Sequence, residues 1–349
     1  MWTCLLFLFI LPFVGTFSTS DMLAFVSKER VEPRLCIVGG GSRVEYFAPV
    51  LSVAEEMGVL RVAAVYTRSG KVNRKAMDLL RSPAVYTDLK LMMRENEPAI
   101  VLILVSSLAS VQVTGKVLEV FEGIVLVETP LRAPKEWTKS KRIGVVENWP
   151  WLPLEQFKRQ VVKAGILGSI RRVANNGRSI CTHGAAKARA YADFPVAFES
   201  VQRNKVGRQV HTRAYSSAGV IVDNIFPKGG DRNMVAVGTK ASLRGNCIIT
   251  KENIQNHNLL VLEQFGKSAP VFVQTEFYGT RNFPLFISAK IGGYQIRWDL
   301  DLSLRAVASL DQHQYGSLKH ILEAAKGNIL YPLAQHLADV RLCEFGPGV

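Results

Sequence analysis

The run Leu35-Cys36-Ile37-Val38-Gly39-Gly40-Gly41-Ser42-Arg43 constrains this chain more than any other feature. The apolar residues read as a buried strand and the glycines as a tight turn. Val44, Phe47, Val50, Leu51, Ala54 and Met57 then recur at helical spacing up to Gly58. Strand, glycine turn and helix in this order let the backbone approach a pyrophosphate closely and aim a helix N-terminus at its charge. Gly39 and Gly41 match the first two glycines of G-x-G-x-x-G, while Val44 takes the third place, so the motif alone also suits an ordinary tight turn. Pro49 is comfortable only if the helix starts near Phe47 and keeps proline in its first turn.

A second strand, Leu60 to Tyr66, ends in Thr67-Arg68-Ser69-Gly70-Lys71. An acidic residue closing this strand would bind the ribose hydroxyls of NAD; none is present. Two hydroxyls and a guanidinium, Thr67, Ser69 and Arg68, stand instead where a 2′-phosphate would lie, so NADP(H) is favoured over NAD(H), against a solvated basic turn that binds nothing. Further apolar runs at 84–87, 99–105 and 124–127 alternate with helical segments from Asp88 to about Asn96 and over 109–121. Repeated β-α-β units with near-continuous apolar strands predict a parallel sheet covered on both faces, with its ligand at the strands' carboxyl ends. Ser106 closes the fourth of these strands and joins the predicted cofactor-binding set.

With 349 residues, 48% of them hydrophobic, the chain is long enough for two domains and can bury a sizeable core. Its net charge of +14 raises nucleic acid as a partner. The cations are scattered, however, and the densest stretch, Lys135 to Arg142, is too short for a nucleic-acid tail. The five cysteines show no paired spacing, and neither a disulfide scaffold nor a metal site is expected. Residues 4–17 are uncharged and apolar, too short to span a bilayer but suited to a signal-peptide core, although the usual preceding cation is missing. The expected organisation is a leader over 1–20, a linker over 21–33, a dinucleotide-binding domain over 34–148 and a second domain over 149–349. A working leader would send the protein to the secretory pathway or an organelle; without one it would be cytoplasmic.

The order GGGS, VYTRS, AVYTDL, VLILVSS, IVLVETP and VVENWPWLPLEQFKRQVVKAGILGSIRRV resembles the glucose–fructose oxidoreductase / inositol dehydrogenase / MocA family. Ala236 to Leu243 is similar to that family's Gly-Thr-x-Gly-x-Leu segment, and Tyr331 to Asp339 to its closing helix. The resemblance spans about residues 34–345. It implies a Rossmann domain followed by an α+β domain with an open, mainly antiparallel sheet, commonly an oligomer interface, so a homo-oligomer is expected. Strand-like runs at 210–215, 219–225, 234–238, 246–250, 259–264, 271–278, 285–291 and 294–300, without helices between them, favour antiparallel pairing independently. The helix closing the chain is expected to be able to pack back on the first domain.

In the resembled family a Glu-Lys-Pro motif ends the fifth strand, with the lysine beside the nicotinamide. Here the motif is Glu128-Thr129-Pro130, so Thr129 holds the lysine slot, and an ordinary threonine hydroxyl orients groups but does not exchange protons near neutral pH. Lys135 is a possible substitute, though a surface role suits it better. The resemblance places Glu128 near the nicotinamide ribose, Asn148 at the sixth strand's end, and a histidine of the second domain at the substrate. That histidine is His183, at the start of a small-residue helix, with a structural cap as the competing reading; the helix terminus would favour its neutral form. Trp149 either lines the pocket or fills core, and Tyr191 either meets substrate or ends a helix. The expected activity is hydride transfer between a nicotinamide cofactor and a small polar substrate. The alternative is a non-catalytic dinucleotide-binding member, kept open by Thr129.

Overall fold

The computed structural model describes residues 32–176, 181–206, 209–226, 233–256, 259–279 and 281–343. The expected leader and all but the last two residues of the expected linker lie outside them. The first sheet is built from β1 (Arg34–Val38), β2 (Arg61–Tyr66), β3 (Ala84–Tyr86), β4 (Ile100–Ile103), β5 (Ile124–Glu128) and β6 (Ile143–Val146). Its order is β3-β2-β1-β4-β5-β6 and every pairing is parallel. That order is the doubly wound Rossmann arrangement, whose strand direction of growth reverses between β1 and β4 and opens a crevice there. The apolar strands require it, because β4 is buried on both faces and must be covered by helices.

Those helices are α1 (Ser42–Glu56), α2 (Arg74–Leu79), α3 (Leu89–Asn96) and α4 (Ser107–Leu118). Asp88 caps α3 as expected, accepting from the Leu91 N–H at 3.0 Å. The start of α1 departs from expectation: it begins at Ser42, and Pro49 sits in its interior. Val44, Phe47, Val50, Leu51 and Ala54 are all buried, so packing on the sheet outweighs the single hydrogen bond that proline removes.

The second sheet has the order β14-β13-β12-β11-β7-β10-β9-β8. Its strands are β7 (Ile170–Asn176), β8 (Phe198–Val206), β9 (Gln209–Ser216), β10 (Ile221–Phe226), β11 (Asn233–Gly238), β12 (Ser242–Gly245), β13 (Leu260–Gln264) and β14 (Lys267–Pro270). All neighbours are antiparallel except β7 and β10, which run parallel. The expected strand over 246–250 is absent; β12 ends at Gly245. Of the run expected over 271–278, Phe277–Tyr278 is strand, paired with Phe283–Pro284; a further strand forms earlier, over Lys267–Pro270, because Phe265 and Gly266, both at positive φ, make a two-residue hairpin turn that returns the chain at once along β13. β7 (IRRVANN) and β8 (FESVQRNKV) went unforeseen since adjacent polar residues break the apolar–polar alternation that marks a half-buried strand.

One face of this sheet carries α5 (Pro153–Lys163) and α6 (Cys181–Ala190). Gly184 lets α6 lie close to the sheet: a Cβ there would stand 2.2 Å from Asn175 Nδ2, in the buried Asn175–Asn224 pair. A separate hairpin, β15 (Phe286–Ile291) with β16 (Tyr294–Asp299), packs beside α5. The chain then returns to the first sheet through α7 (Gln312–Ala325), whose Gln314 side chain donates to the Tyr46 carbonyl of α1 at 3.0 Å. The closing helix α8 (Leu333–Cys343) lies along α6, where Arg189 pairs with Asp339 at 2.5 Å with both side chains fully buried. Cys343 is disulfide-bonded, a link the cysteine spacing did not announce.

Candidate functional site

The glycine turn stands at the carboxyl edge of the first sheet, over the β1–β4 crevice. Gly39 has φ +139°, and a Cβ there would meet the Leu104 carbonyl at 2.2 Å; at Gly40 it would meet the Lys71 carbonyl at 2.6 Å. Side chains at either position would break the turn. Gly41 has nothing within 4 Å, so the turn's outer side is open. No side chain caps α1, which leaves its first N–H groups facing outward with the positive end of the helix dipole.

A cavity of about 480 Å³ opens here, lined among others by Gly39, Gly40, Gly41, Ser42, Arg43, Thr67, Arg68 and Ser106. Its volume suits a small-molecule ligand. An open glycine turn, an uncapped helix start and the lining cations Arg43, Arg68 and Lys116 are groups that can hold a phosphate-bearing dinucleotide. Gln112 and Lys116 of α4 also line the cavity, and no motif announced them. Ser69 does not line it; its hydroxyl accepts from the Lys71 N–H at 3.3 Å and stiffens the turn after β2.

At the far side of the turn, Arg43 pairs with Glu128 at 3.1 Å, the arginine half-exposed and the carboxylate 11% exposed. Burial pushes the Glu128 pKa up, and the neighbouring Arg43 and His183 charges oppose that rise. Thr129 follows at the strand end, partly buried, joined to Pro130 by a cis peptide.

Beyond it, His183 of α6 sets Nδ1 against both oxygens of Glu147, at 2.9 and 2.8 Å. Glu147 directly follows β6 and is completely buried. Burial alone would push its pKa up; the His183 charge and hydrogen bond, the His336 imidazole and the Trp149 N–H together carry it below the ordinary value. An ionised Glu147 makes His183 Nδ1 the donor and leaves Nε2 for other partners. The imidazole is therefore oriented by a close buried carboxylate. Glu147 was missed in the sequence. The available signal was an acid at the end of an apolar strand, but the imidazoles around it lie tens of residues or more away.

Trp149 packs against this pair, its ring centroid 5.8 Å from that of His183 and 4.5 Å from that of His313. The buried Lys187 ammonium lies 4.6 Å from the Trp149 ring centre and 3.1 Å from Cys247 Sγ. Asn148 turns away, its amide donating to the His313 carbonyl at 3.4 Å. Tyr191 is also apart from this group: it is buried in the second-sheet core, its hydroxyl donating to Glu155 at 2.6 Å. His320 Nε2 meets the Glu147 carbonyl oxygen at 2.9 Å, and His336 Nε2 accepts from the Leu131 N–H at 3.0 Å. Burial lowers both imidazoles to about 4. The Lys135 side chain lies outside the described set. Among the described residues no group of His, Cys, Asp or Glu is placed to hold a metal ion, and no helix is long and apolar enough to cross a membrane.

No protein-family model matches the chain, and no curated protein sequence matches it. Solved structures do. An oxidoreductase from Agrobacterium radiobacter, in complex with NAD+, L-tartaric acid and magnesium, is similar with a TM-score of 0.61 at 14% identity, covering 89% of this chain and 94% of its own. Levoglucosan dehydrogenase, in complex with NADH and levoglucosan, gives 0.59 at 10% identity, covering 89% and 95%. UDP-N-acetylglucosamine 3-dehydrogenase from Acidithiobacillus ferrooxidans gives 0.58 at 11% identity, covering 90% and 96%. At such identities the likeness is one of fold, and it extends over both sheets.

Proposed function

We propose that this chain is an NAD(P)-dependent oxidoreductase of the glucose–fructose oxidoreductase / inositol dehydrogenase / MocA type, preferring NADP(H) and acting on a small polar carbonyl or hydroxyl compound. The observation that carries the reading is the placement of a carboxylate-oriented imidazole, Glu147–His183, beyond the end of an open glycine-turn cavity. Three fold neighbours whose names describe oxidoreductases or dehydrogenases, two of them bound to NAD+ or NADH, support it.

When bound, the nicotinamide supplies or accepts the hydride. The protein's part is position and proton handling. Gly40, Gly41 and Ser42 present backbone N–H groups to the phosphates, while the Gly39 N–H donates to the Tyr66 carbonyl at 2.9 Å and holds the turn on the sheet. Arg68, with Thr67 beside it, holds the 2′-phosphate, and Ser106 lies on the opposite wall. His183 moves the hydroxyl proton through Nε2, while Glu147 fixes its tautomer and balances the imidazolium. Thr129 orients substrate oxygen and takes no proton. Trp149 forms the wall behind the substrate. A non-catalytic role gains nothing from a buried carboxylate locked on a partly exposed imidazole. The second sheet's open face is the proposed contact between subunits, and no nucleic-acid partner is proposed.

The test is a titration of purified protein with NADPH and NADH, following tryptophan fluorescence, then a screen of aldoses, inositols, sugar acids and keto acids for turnover. Saturable NADPH binding tighter than NADH and turnover of at least one compound are expected. No saturable binding of either dinucleotide overturns the proposal.

A further inference from the structure

Glu128 stands where two parts of the molecule meet. Arg43 belongs to the glycine turn and lines the dinucleotide cavity, yet its guanidinium is engaged sideways, 3.1 Å from the Glu128 carboxylate. A guanidinium at the start of a helix that faces an open anion cradle has two competing partners: the fixed carboxylate and any phosphate that enters. The carboxylate is poorly hydrated where it sits, being 11% exposed at the end of a buried strand. The groups around it are Arg43 and Tyr46 from α1 and His183 from α6. His183 is already bonded to Glu147, so Arg43 is the cation that Glu128 has to itself.

We infer that Glu128 takes up one proton from solvent when a phosphate-bearing ligand enters the cavity and draws the Arg43 guanidinium away. The inference rests on the dinucleotide reading above. A mostly buried carboxylate deprived of its cation is more stable as the neutral acid. Its new O–H is a hydrogen-bond donor one residue from Thr129, where the resembled family carries an ammonium. Glu128 is thereby a ligand-gated proton holder at the site, and the acid that the threonine slot lacks is supplied only once the cavity is filled. Affinity for the ligand then rises as pH falls, because binding and protonation are linked.

The test is calorimetry of NADPH binding to the full chain near pH 6.5 in two buffers of different protonation enthalpy, comparing wild type with Glu128→Gln. Any proton released by the 2′-phosphate of NADPH is common to both proteins, so the difference isolates Glu128. Wild type should take up on the order of half a proton more than E128Q. E128Q should bind NADPH about fivefold more tightly, with no carboxylate left to hold Arg43 back. Arg43→Met, at a half-exposed position, should also abolish the extra uptake, since its Glu128 is already neutral. Equal proton counts in wild type and E128Q, or weaker binding by a folded E128Q, overturn the inference while leaving the dinucleotide reading standing. Failure of wild type to bind NADPH overturns both.

Discussion

Around the glycine turn, every lining residue comes from the stretch Val38–Lys116, and several of them are open to solvent. Around Glu147, the partners come from His183, His320 and His336 on three separate helices, and the carboxylate itself has no exposure. The first region is a local motif repeated in sequence order. The second is a knot that exists only once α6, α7 and α8 have packed on the end of β6. On the proposed reading, recognition and chemistry are carried by different scales of structure: an exposed cradle in high dielectric, and a buried carboxylate–imidazole pair whose partners water cannot replace.

That contrast can be broken most sharply at His183. His183→Ala should lower turnover by roughly a thousandfold, the size of a lost general acid–base, while NADPH affinity stays within about twofold. Equal losses in both, measured by steady-state kinetics and fluorescence titration, would merge the two regions into one.

The knot should also fail in acid before the cradle does. His320 and His336 have folded pKa values near 4, below the usual 6.5, so the unfolded chain takes up protons first as pH falls. Their contribution is complete above pH 6.5 and lost toward pH 4, up to about 3 kcal/mol for each. Glu147, depressed in the fold, loses its contribution in the same direction. Urea unfolding at pH 7 and pH 4.5 measures this, and His320→Gln should flatten the curve by one group. A wild-type curve that is already flat would show that these imidazoles are not held neutral.

At the cradle, Arg68→Ala should weaken NADPH by roughly thirtyfold, as for a charged hydrogen bond, and NADH by less than about twofold. Equal weakening of the two would remove the 2′-phosphate from Arg68. The smallest effect is expected at Tyr191, whose hydroxyl bonds Glu155 in the core. Tyr191→Phe should cost about 1–2 kcal/mol of stability by thermal melting and leave KM unchanged; a raised KM would bring it back to the substrate.

Much of the first sheet was legible because its signals are local. Apolar strands, the glycine turn and the Asp88 cap each act within a few residues, and Gly39, Thr67, Arg68 and Ser106 meet at one cavity as the β-α-β order leads one to expect. Ser69 and Asn148 show the limit of that logic, since each stands at the right place in the chain but turns its side chain to a neighbouring backbone group. The second sheet was legible in type rather than in detail. Its polar strands β7 and β8 alternate too weakly to be read, and the turn at Phe265–Gly266, not the apolar run after it, decides where β14 lies.

By itself the amino-acid order determined a parallel sheet covered on both faces, the glycine turn after its first strand and a basic, hydroxyl-bearing close to β2, because each depends on short-range periodicity and backbone conformation. Only the tertiary structure decided that Glu147 is the partner of His183, that Arg43 is held by Glu128, and that Tyr191 belongs to the core. These are contacts between residues far apart in the chain, and their existence depends on which helix faces are driven together when apolar surface is buried.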